Sequence, residues 1–392
     1  MAAGSIGVAV VGGGMAGRAH AAAYRTATTL FGTGRPDVRL VAVADLNQAL
    51  ATDTATRYGY QRAEPRWQAI AGAPDIDAVS VAVANHLHRE VVEGLLAAGK
   101  HVLCEKPLAT SRADATAMAA AADRSDLVTA VGYSYRWSPA ISAIRREVAG
   151  GTLGDVVQFN GRYWEDYALS AQVPLSWRYR GGPGSGALAD LGSHLTDLAE
   201  FVCGPMTEVG GTVLATVITQ RPVPAGETAG HGLAEVSGET GPVENEDIIA
   251  FTARFASGAV GTFSVSRVAH GLPDGLGFEI FGTAGAAAFD LQRPGEFTIS
   301  GDGIPSRLNG WRQVFTGPDH PYIRQGLPFD VRGTGHGTHD MFGYQARAFL
   351  DQIAGTGDLP RCPDFHTGLR GLAVLDAVTE SARSGGSYVK IA

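Results

Sequence analysis

Ile6-Gly7-Val8-Ala9-Val10-Val11-Gly12-Gly13-Gly14-Met15-Ala16-Gly17 is the stretch whose reading decides the fold. Residues 6 to 11 carry no charge and stop at glycines, a run too short for a helix, which predicts a buried strand. The glycines fall in G-x-G-x-x-G spacing, and the Ala-rich segment Ala16 to Thr26 that follows reads as a helix. Strand, glycine turn and helix in this order are the setting in which the spacing marks a dinucleotide site. Gly12 permits the tight turn, Gly14 lets the backbone approach a pyrophosphate, and Gly17 lets helix and strand close on each other. The helix N-terminus receives the anion. Candidate cofactor-binding residues are therefore Gly12, Gly14, Met15, Ala16 and Gly17.

The same alternation continues downstream. Arg39 to Ala44, Ala78 to Val83, His101 to Leu103 and Leu127 to Val131 read as further buried strands, and Gln48 to Arg57, His88 to Ala98 and Ala113 to Asp123 as crossover helices. Alternating elements of this kind predict an α/β, doubly wound Rossmann domain over residues 1–132. The second strand ends at Asp45, where such a fold places the acid that accepts hydrogen bonds from the adenosine ribose. A carboxylate there favours NAD and disfavours the extra phosphate of NADP. Asp45 lies further beyond Gly17 than the roughly 20 residues of the general fingerprint, an excess that the Gly- and Pro-containing loop Thr29 to Pro36 can absorb.

After Tyr133 the pattern changes. A helix from Pro139 to Val148, a strand-like run from Asp155 to Trp164 and a Gly- and Pro-rich stretch from Ser170 to Gly186 open a second domain, residues 133–392. From Ile248 to Phe289 three strand-like runs are punctuated by Ser257-Gly258 and Gly282 to Gly285, which reads as an antiparallel meander. Two late helices, Met341 to Ile353 and Leu369 to Ala382, complete an α+β domain around a large, mostly antiparallel open sheet.

Bulk properties narrow the function. At 392 residues the chain exceeds the size at which one core stops growing. A net charge of -8 without a Lys/Arg run argues against nucleic acid as a partner. No apolar run approaches the roughly 18 residues that span a bilayer, and no cationic segment precedes Ile6, so a soluble, cytoplasmic enzyme is expected. Cys104, Cys203 and Cys362 lie too far apart for a zinc site or a disulfide framework. His336, His339 and Asp340 lack a third supporting region, so no metal is expected.

Two post-strand motifs make a resemblance specific. Asn85-His86-Leu87-His88 follows the third of these strands, Ala78 to Val83, and Glu105-Lys106-Pro107 the fourth. Further on, Gly186-Ala187-Leu188-Ala189-Asp190-Leu191-Gly192-Ser193-His194-Leu195-Thr196-Asp197 holds an Asp-x-x-x-His core. In this order they resemble the Gfo/Idh/MocA oxidoreductases over nearly the whole chain. Gly132-Tyr133-Ser134-Tyr135-Arg136, Ser176-Trp177-Arg178 and Ser257-Gly258 extend the match. Departures bear on the substrate: Ala84 stands where a Pro is common, and Trp137 follows Arg136 where many relatives carry another residue.

The resemblance implies NAD-dependent oxidation of a secondary hydroxyl of a sugar, anhydrosugar, glycoside or cyclitol to a ketone. Segments Tyr163 to Arg180, Arg221 to Gly241 and Gly317 to Pro321 point to the branch that oxidises anhydrosugars of the levoglucosan type and the 3-position of glycosides. It makes Lys106 a catalytic residue beside nicotinamide and substrate, His194 the general base and Asp190 the group that orients the substrate hydroxyls. Four residues apart on a helix, Asp190 and His194 share one face, and histidine's ordinary pKa suits proton transfer near neutrality. Asn85, His88, Glu105 and Lys106 fall on the cofactor side; for His88 a core or helix-start position fits equally well. Tyr133, Arg136, Tyr163, Glu165, Asp166, Trp177 and Arg178 are candidate substrate-binding residues, because flat aromatic faces and charged groups suit a pyranose or cyclitol. The family's habit of pairing its open sheets implies a homodimer or homotetramer. A glycosidase using transient oxidation and a non-catalytic NAD-binding regulator are the competing readings.

Overall fold

The computed structural model describes residues 4–31, 36–182, 184–226, 235–302, 308–324, 327–357 and 359–392. Parts of three segments named above, residues 32–35, 183 and 227–234, lie outside these. The chain divides into two compact units: Met1–Trp137, Tyr322–Asp330 and His336–Leu372 form the first, and Ser138–Pro321, Val331–Gly335 and Ala373–Ala392 the second.

The first unit is a parallel sheet of six strands, β1 (Ile6–Val11), β2 (Val38–Ala44), β3 (Arg62–Glu64), β4 (Ala78–Val81), β5 (His101–Cys104) and β6 (Thr129–Val131). Their order is β3-β2-β1-β4-β5-β6, so the winding reverses between β1 and β4, where such sheets open a crevice at the carboxyl ends of their strands. Every residue of β1 and β4 is buried, as covering on both faces requires. The crossovers carry α1 (Met15–Ala27), α2 (Gln48–Tyr58), α3 (Trp67–Ala71), α4 (His88–Ala97) and α5 (Arg112–Asp123). Their ends follow local chemistry. The Asn47 side chain accepts from the Leu50 N–H to start α2, Gly59 at φ 76° stops it, and Ser111 caps α5 through the Asp114 N–H. Two elements, β3 and α3, have no counterpart in the sequence reading. Arg62-Ala63-Glu64 contains no apolar run; it is an edge strand anchored by a two-pronged Arg62–Asp75 pair at 2.7 and 3.0 Å.

The second unit opens with α6 (Pro139–Ala149), β7 (Val156–Trp164) and α7 (Ser193–Cys203). Its further strands are β8 (Met206–Ala215), β9 (Gln220–Pro224), β10 (Val236–Pro242), β11 (Ile248–Phe255), β12 (Val260–Ser266), β13 (Gly275–Gly282), β14 (Gly285–Asp290), β15 (Glu296–Gly301), β16 (Arg312–Phe315) and β17 (Val389–Lys390). Eight of them join β7 in one nine-stranded sheet in the order β16-β15-β14-β13-β7-β12-β11-β8-β17, antiparallel except where β12 pairs β7, while β9 and β10 pair apart from it. The stretch read as three runs holds four strands, because residues 267–274 separate β12 from β13. Alternation fixes the faces: β11 buries every second residue, and Phe251 stacks on Phe263 of β12 at 4.5 Å. Gly161 on β7 leaves room for Leu195 of α7; an added Cβ would lie 2.9 Å from its side chain.

The late helices are α8 (Thr338–Ala354) and α9 (Phe365–Arg383). A single cut after residue 132 assigns α8 to the second domain; its contacts place it in the first unit. Arg347 donates to the Ala27 carbonyl at the end of α1 across 3.2 Å, and Phe342 meets His20 of α1 edge-on at 5.2 Å. No local pattern in the sequence reports a packing partner so far upstream.

Candidate functional site

In the first unit the glycine turn is dictated by the backbone. Gly12 has φ 105°, closed to side chains, and a Cβ there would overlap the Ala82 carbonyl oxygen. A Cβ at Gly17 would overlap the Gly12 carbonyl oxygen, whereas one at Gly14 would meet nothing within 4 Å. Gly12 and Gly17 therefore serve the fold, and Gly14 faces open space at the start of α1. No acidic residue occupies the first turn of α1, and Gly14 provides no side-chain cap, which leaves the positive helix end to an anion. Met15, beside it, is 61% exposed.

Asp45 follows β2 and stands over this turn. Its Oδ2 accepts the Gly13 N–H at 2.7 Å and its Oδ1 the Asn47 N–H at 2.8 Å. Each carboxylate oxygen keeps a second accepting position, so the residue that braces the glycine turn also remains available to a ribose. Asp45→Ser is expected to raise KM for NAD about tenfold, the scale of a hydrogen bond to a charged group, and to narrow the preference over NADP. Initial rates with each cofactor check this, and an unchanged NAD/NADP ratio would remove Asp45 from cofactor selection.

Asn85 lies in a short 3-10 turn ahead of α4, and Lys106 is half-buried after β5. His88 is fully buried, its Nδ1 3.1 Å from the Pro107 carbonyl oxygen and its Nε2 3.2 Å from that of Val83. It ties two strand-end loops together, as the core or helix-start position also open to it would have it. Glu105 is 7% exposed, with Oε1 2.9 Å from His20 Nε2 and Oε2 accepting the Lys106 N–H at 3.1 Å. Its carboxylate faces inward. Tyr133 is 2% exposed, with the Arg136 guanidinium 5.7 Å from its ring centre. Arg136 also lines an open polar hollow of about 610 Å³ with Asp126, Arg361 and Asp364.

In the second unit the sequence reads as one helix through Asp190 and His194, but residues Leu188–Gly192 form a wider π turn that passes into α7. Such turns inside helices occur frequently at functional sites. Here the turn starts on a carboxylate: Glu246 accepts the Leu188 N–H at 2.8 Å, and burial pushes the pKa of Glu246 up. His194 is 9% exposed, with the Tyr163 ring 6.2 Å away. Asp190 accepts the Tyr167 hydroxyl at 2.9 Å. Tyr167 was not among the sequence candidates. It stands 23 positions from Asp190, and only the folded loop joins them. Burial and the Asp190 charge raise the Tyr167 pKa, so the phenol acts as donor to the carboxylate.

Of the remaining candidates, Tyr163 is buried and its hydroxyl meets Asp274, a carboxyl whose pKa burial raises. Glu165 and Asp166 begin the loop after β7, and Trp177 and Arg178 share a 3-10 turn with the Arg178 guanidinium 4.5 Å from the indole centre. Two buried arginines hold that loop. Arg221 of β9 donates to the carbonyls of Ala168, Ser170 and Val173 and lies 4.0 Å from the Tyr179 ring centre, with Arg267 at 4.7 Å. Arg267 in turn pairs with Asp247 at 2.8 Å, both fully buried. Asp340 accepts the Gly337 N–H at the start of α8; among the described residues no group of three or more His, Cys, Asp and Glu is arranged to hold a metal.

Residues 6–133 match the profile of an oxidoreductase family with an NAD-binding Rossmann fold, and residues 141–288 that of the GFO/IDH/MocA C-terminal domain. The chain is 35% identical to levoglucosan dehydrogenase of Pseudarthrobacter phenanthrenivorans over 96% of each chain. It is 29% identical to inositol 2-dehydrogenase of Rhizobium meliloti over 95% of each. Among solved structures, a levoglucosan dehydrogenase in complex with NADH and levoglucosan superposes with a TM-score of 0.90, at 33% identity and over 99% of both chains.

Proposed function

The chain belongs to the Gfo/Idh/MocA oxidoreductase family, and from that premise we propose that it oxidises a secondary hydroxyl of an anhydrosugar or glycoside, the levoglucosan type foremost and at the 3-position. It is an NAD-dependent dehydrogenase acting on the hydroxyl group of a sugar or cyclitol. The observation that carries the narrower substrate class is the likeness to levoglucosan dehydrogenase along the full length of both chains.

The first unit fits the dinucleotide. Gly14 leaves open space at an unopposed helix N-terminus, and Asp45 retains accepting positions beside it. When bound, the nicotinamide accepts the hydride. His194 takes the hydroxyl proton at an imidazole nitrogen, Asp190 orients the neighbouring hydroxyls while Tyr167 holds its carboxylate, and the Lys106 ammonium favours the oxygen as it gains negative charge. Tyr133, Arg136, Tyr163, Glu165, Asp166, Trp177 and Arg178 are the proposed substrate-facing set, supported for Tyr163 by its ring beside His194. Residues 1–132 then supply most of the cofactor side, and 133–392 most of the substrate and assembly surfaces.

No helix among the described residues is long and apolar enough to cross a membrane. Three cysteines without disulfide partners agree with a cytoplasmic location. The open face of the large sheet exposes Val213 and Val260, which supports pairing into a homodimer or homotetramer.

The test is NADH formation with NAD or NADP and a panel of levoglucosan, glucose, glucosides, inositols and aminocyclitols. A signal with NAD and an anhydrosugar or glucoside, reduced at least about 100-fold in His194→Ala as loss of a general base requires, supports the reading. Oxidation confined to inositols overturns the substrate class, and sugar release without net NADH favours a glycosidase.

A further inference from the structure

One polar thread runs through the apolar interior of the first unit. Tyr24 and Ser80 are 0% exposed, His20 is 1% and Glu105 7%. Tyr24 Oη lies 2.8 Å from Ser80 Oγ, Ser80 Oγ 3.2 Å from His20 Nδ1, and His20 Nε2 2.9 Å from Glu105 Oε1; Glu105 Oε2 accepts the Lys106 N–H at 3.1 Å. A neutral imidazole protonated at Nε2 satisfies this chain without a buried cation: Tyr24 donates to Ser80, Ser80 to His20 Nδ1, and His20 to Glu105. Burial raises the Tyr24 pKa, which keeps the phenol a donor. Burial alone would also raise the pKa of Glu105, yet His20 and Lys106 together hold it below its ordinary value.

The thread therefore ends in an ionised carboxylate fixed at the root of Lys106. Gly132 walls its other side, since a Cβ there would stand 2.7 Å from Glu105 Oε1. An apolar core would need none of these groups, and a buried network that is fully satisfied fixes one arrangement of its members. We infer that His20 is a positioning residue for Lys106, acting through Glu105. This rests on the reading of Lys106 as a catalytic residue. His20 sits near the middle of α1, the helix that begins at the glycine turn, so the element that receives the cofactor also holds the segment that carries the lysine.

The experiment compares His20→Leu, His20→Gln and Lys106→Met in the full-length enzyme, measuring kcat, sugar KM and, by fluorescence titration, NADH affinity. Gln places an amide nitrogen near the position of Nε2 and can donate to Glu105, whereas Leu cannot. His20→Leu is expected to lower kcat about 10- to 100-fold, the cost of misplacing a reacting group by about an ångström, with NADH affinity within about threefold of the parent, and His20→Gln to recover most of the loss. An unchanged kcat in His20→Leu, a parallel loss of NADH affinity, or no rescue by Gln overturns the inference. Full activity in Lys106→Met overturns instead the reading beneath it. If His20→Leu does not fold, Gly132→Ala crowds the same carboxylate with every donor retained, and the same split between kcat and NADH affinity decides.

Discussion

Asp247→Ala is expected to destabilise the second unit by about 3–5 kcal/mol, because it strands the fully buried Arg267 guanidinium. For a unit of this size the loss moves Tm down by roughly 6–20 °C in calorimetry. Asp247 is also the acceptor for the Val217 and Ile218 N–H groups at 2.7 and 2.9 Å, and these lose their partner too. The direct contacts that remain to the Arg267 guanidinium are the Asn245 side chain, the Arg178 carbonyl and the Tyr179 face, none of them charged. The double variant Asp247→Leu/Arg267→Met removes the stranded charge and is expected to regain part of the loss, the two orphaned amides keeping it below the parent. A loss under about 1 kcal/mol in Asp247→Ala would show that water reaches the guanidinium and that the pair does not hold the loop.

Gly17→Ala is expected to abolish measurable NAD binding, at least about a 100-fold loss on the scale of misplaced binding groups, and to destabilise the first unit. The added methyl would overlap the Gly12 carbonyl oxygen and lie 2.7 Å from its carbon, both backbone atoms of the turn. Relief requires α1 to move off β1, and the helix end that should meet the pyrophosphate moves with it. Gly14→Ala is the matched control. Its methyl meets nothing within 4 Å at a backbone angle of φ -66° that alanine accepts. It should therefore leave Tm unchanged while weakening cofactor binding by filling the approach. Equal Tm values for the two variants would refute the division of labour between the glycines.

These contrasts mark how far the sequence could be read. The dinucleotide half was legible because its signals are local. A fully buried strand is a short apolar run, a glycine turn has fixed spacing, and a capped helix announces its ends; β1 and the span of α1 appear almost residue for residue. Edge strand β3 was not legible, since three residues ending in charges carry no periodicity. The strands around the meander, β8 to β10 and β15 to β17, were hidden because several carry little apolar periodicity: β10 buries only Gly241, and β16 buries no residue fully. In the site, motif spacing singled out Lys106, Asp190 and His194, but the groups that brace them do not share a motif. Tyr167 reaches Asp190, and His20 reaches Glu105, only through the fold. Motif membership also does not report direction: His88 and Glu105 both turn inward to backbone and buried partners.

The return of α8 to α1 has a consequence in the order of synthesis. Arg347 and the Ala27 carbonyl it meets are separated by 320 residues, so at about 5–20 residues per second the ribosome takes roughly 15–60 s to reach Arg347 after Ala27. Once β6 has been made, the nucleotide half has every strand of its sheet and its glycine turn, but until α8 arrives it lacks the layer that packs on α1. Its apolar surface stays open to solvent, to chaperones and to other nascent chains. Maturation of the cofactor half is thus timed by a helix encoded far downstream, and substitutions in α8 should show first as a fall in soluble yield rather than in the activity of the enzyme that survives.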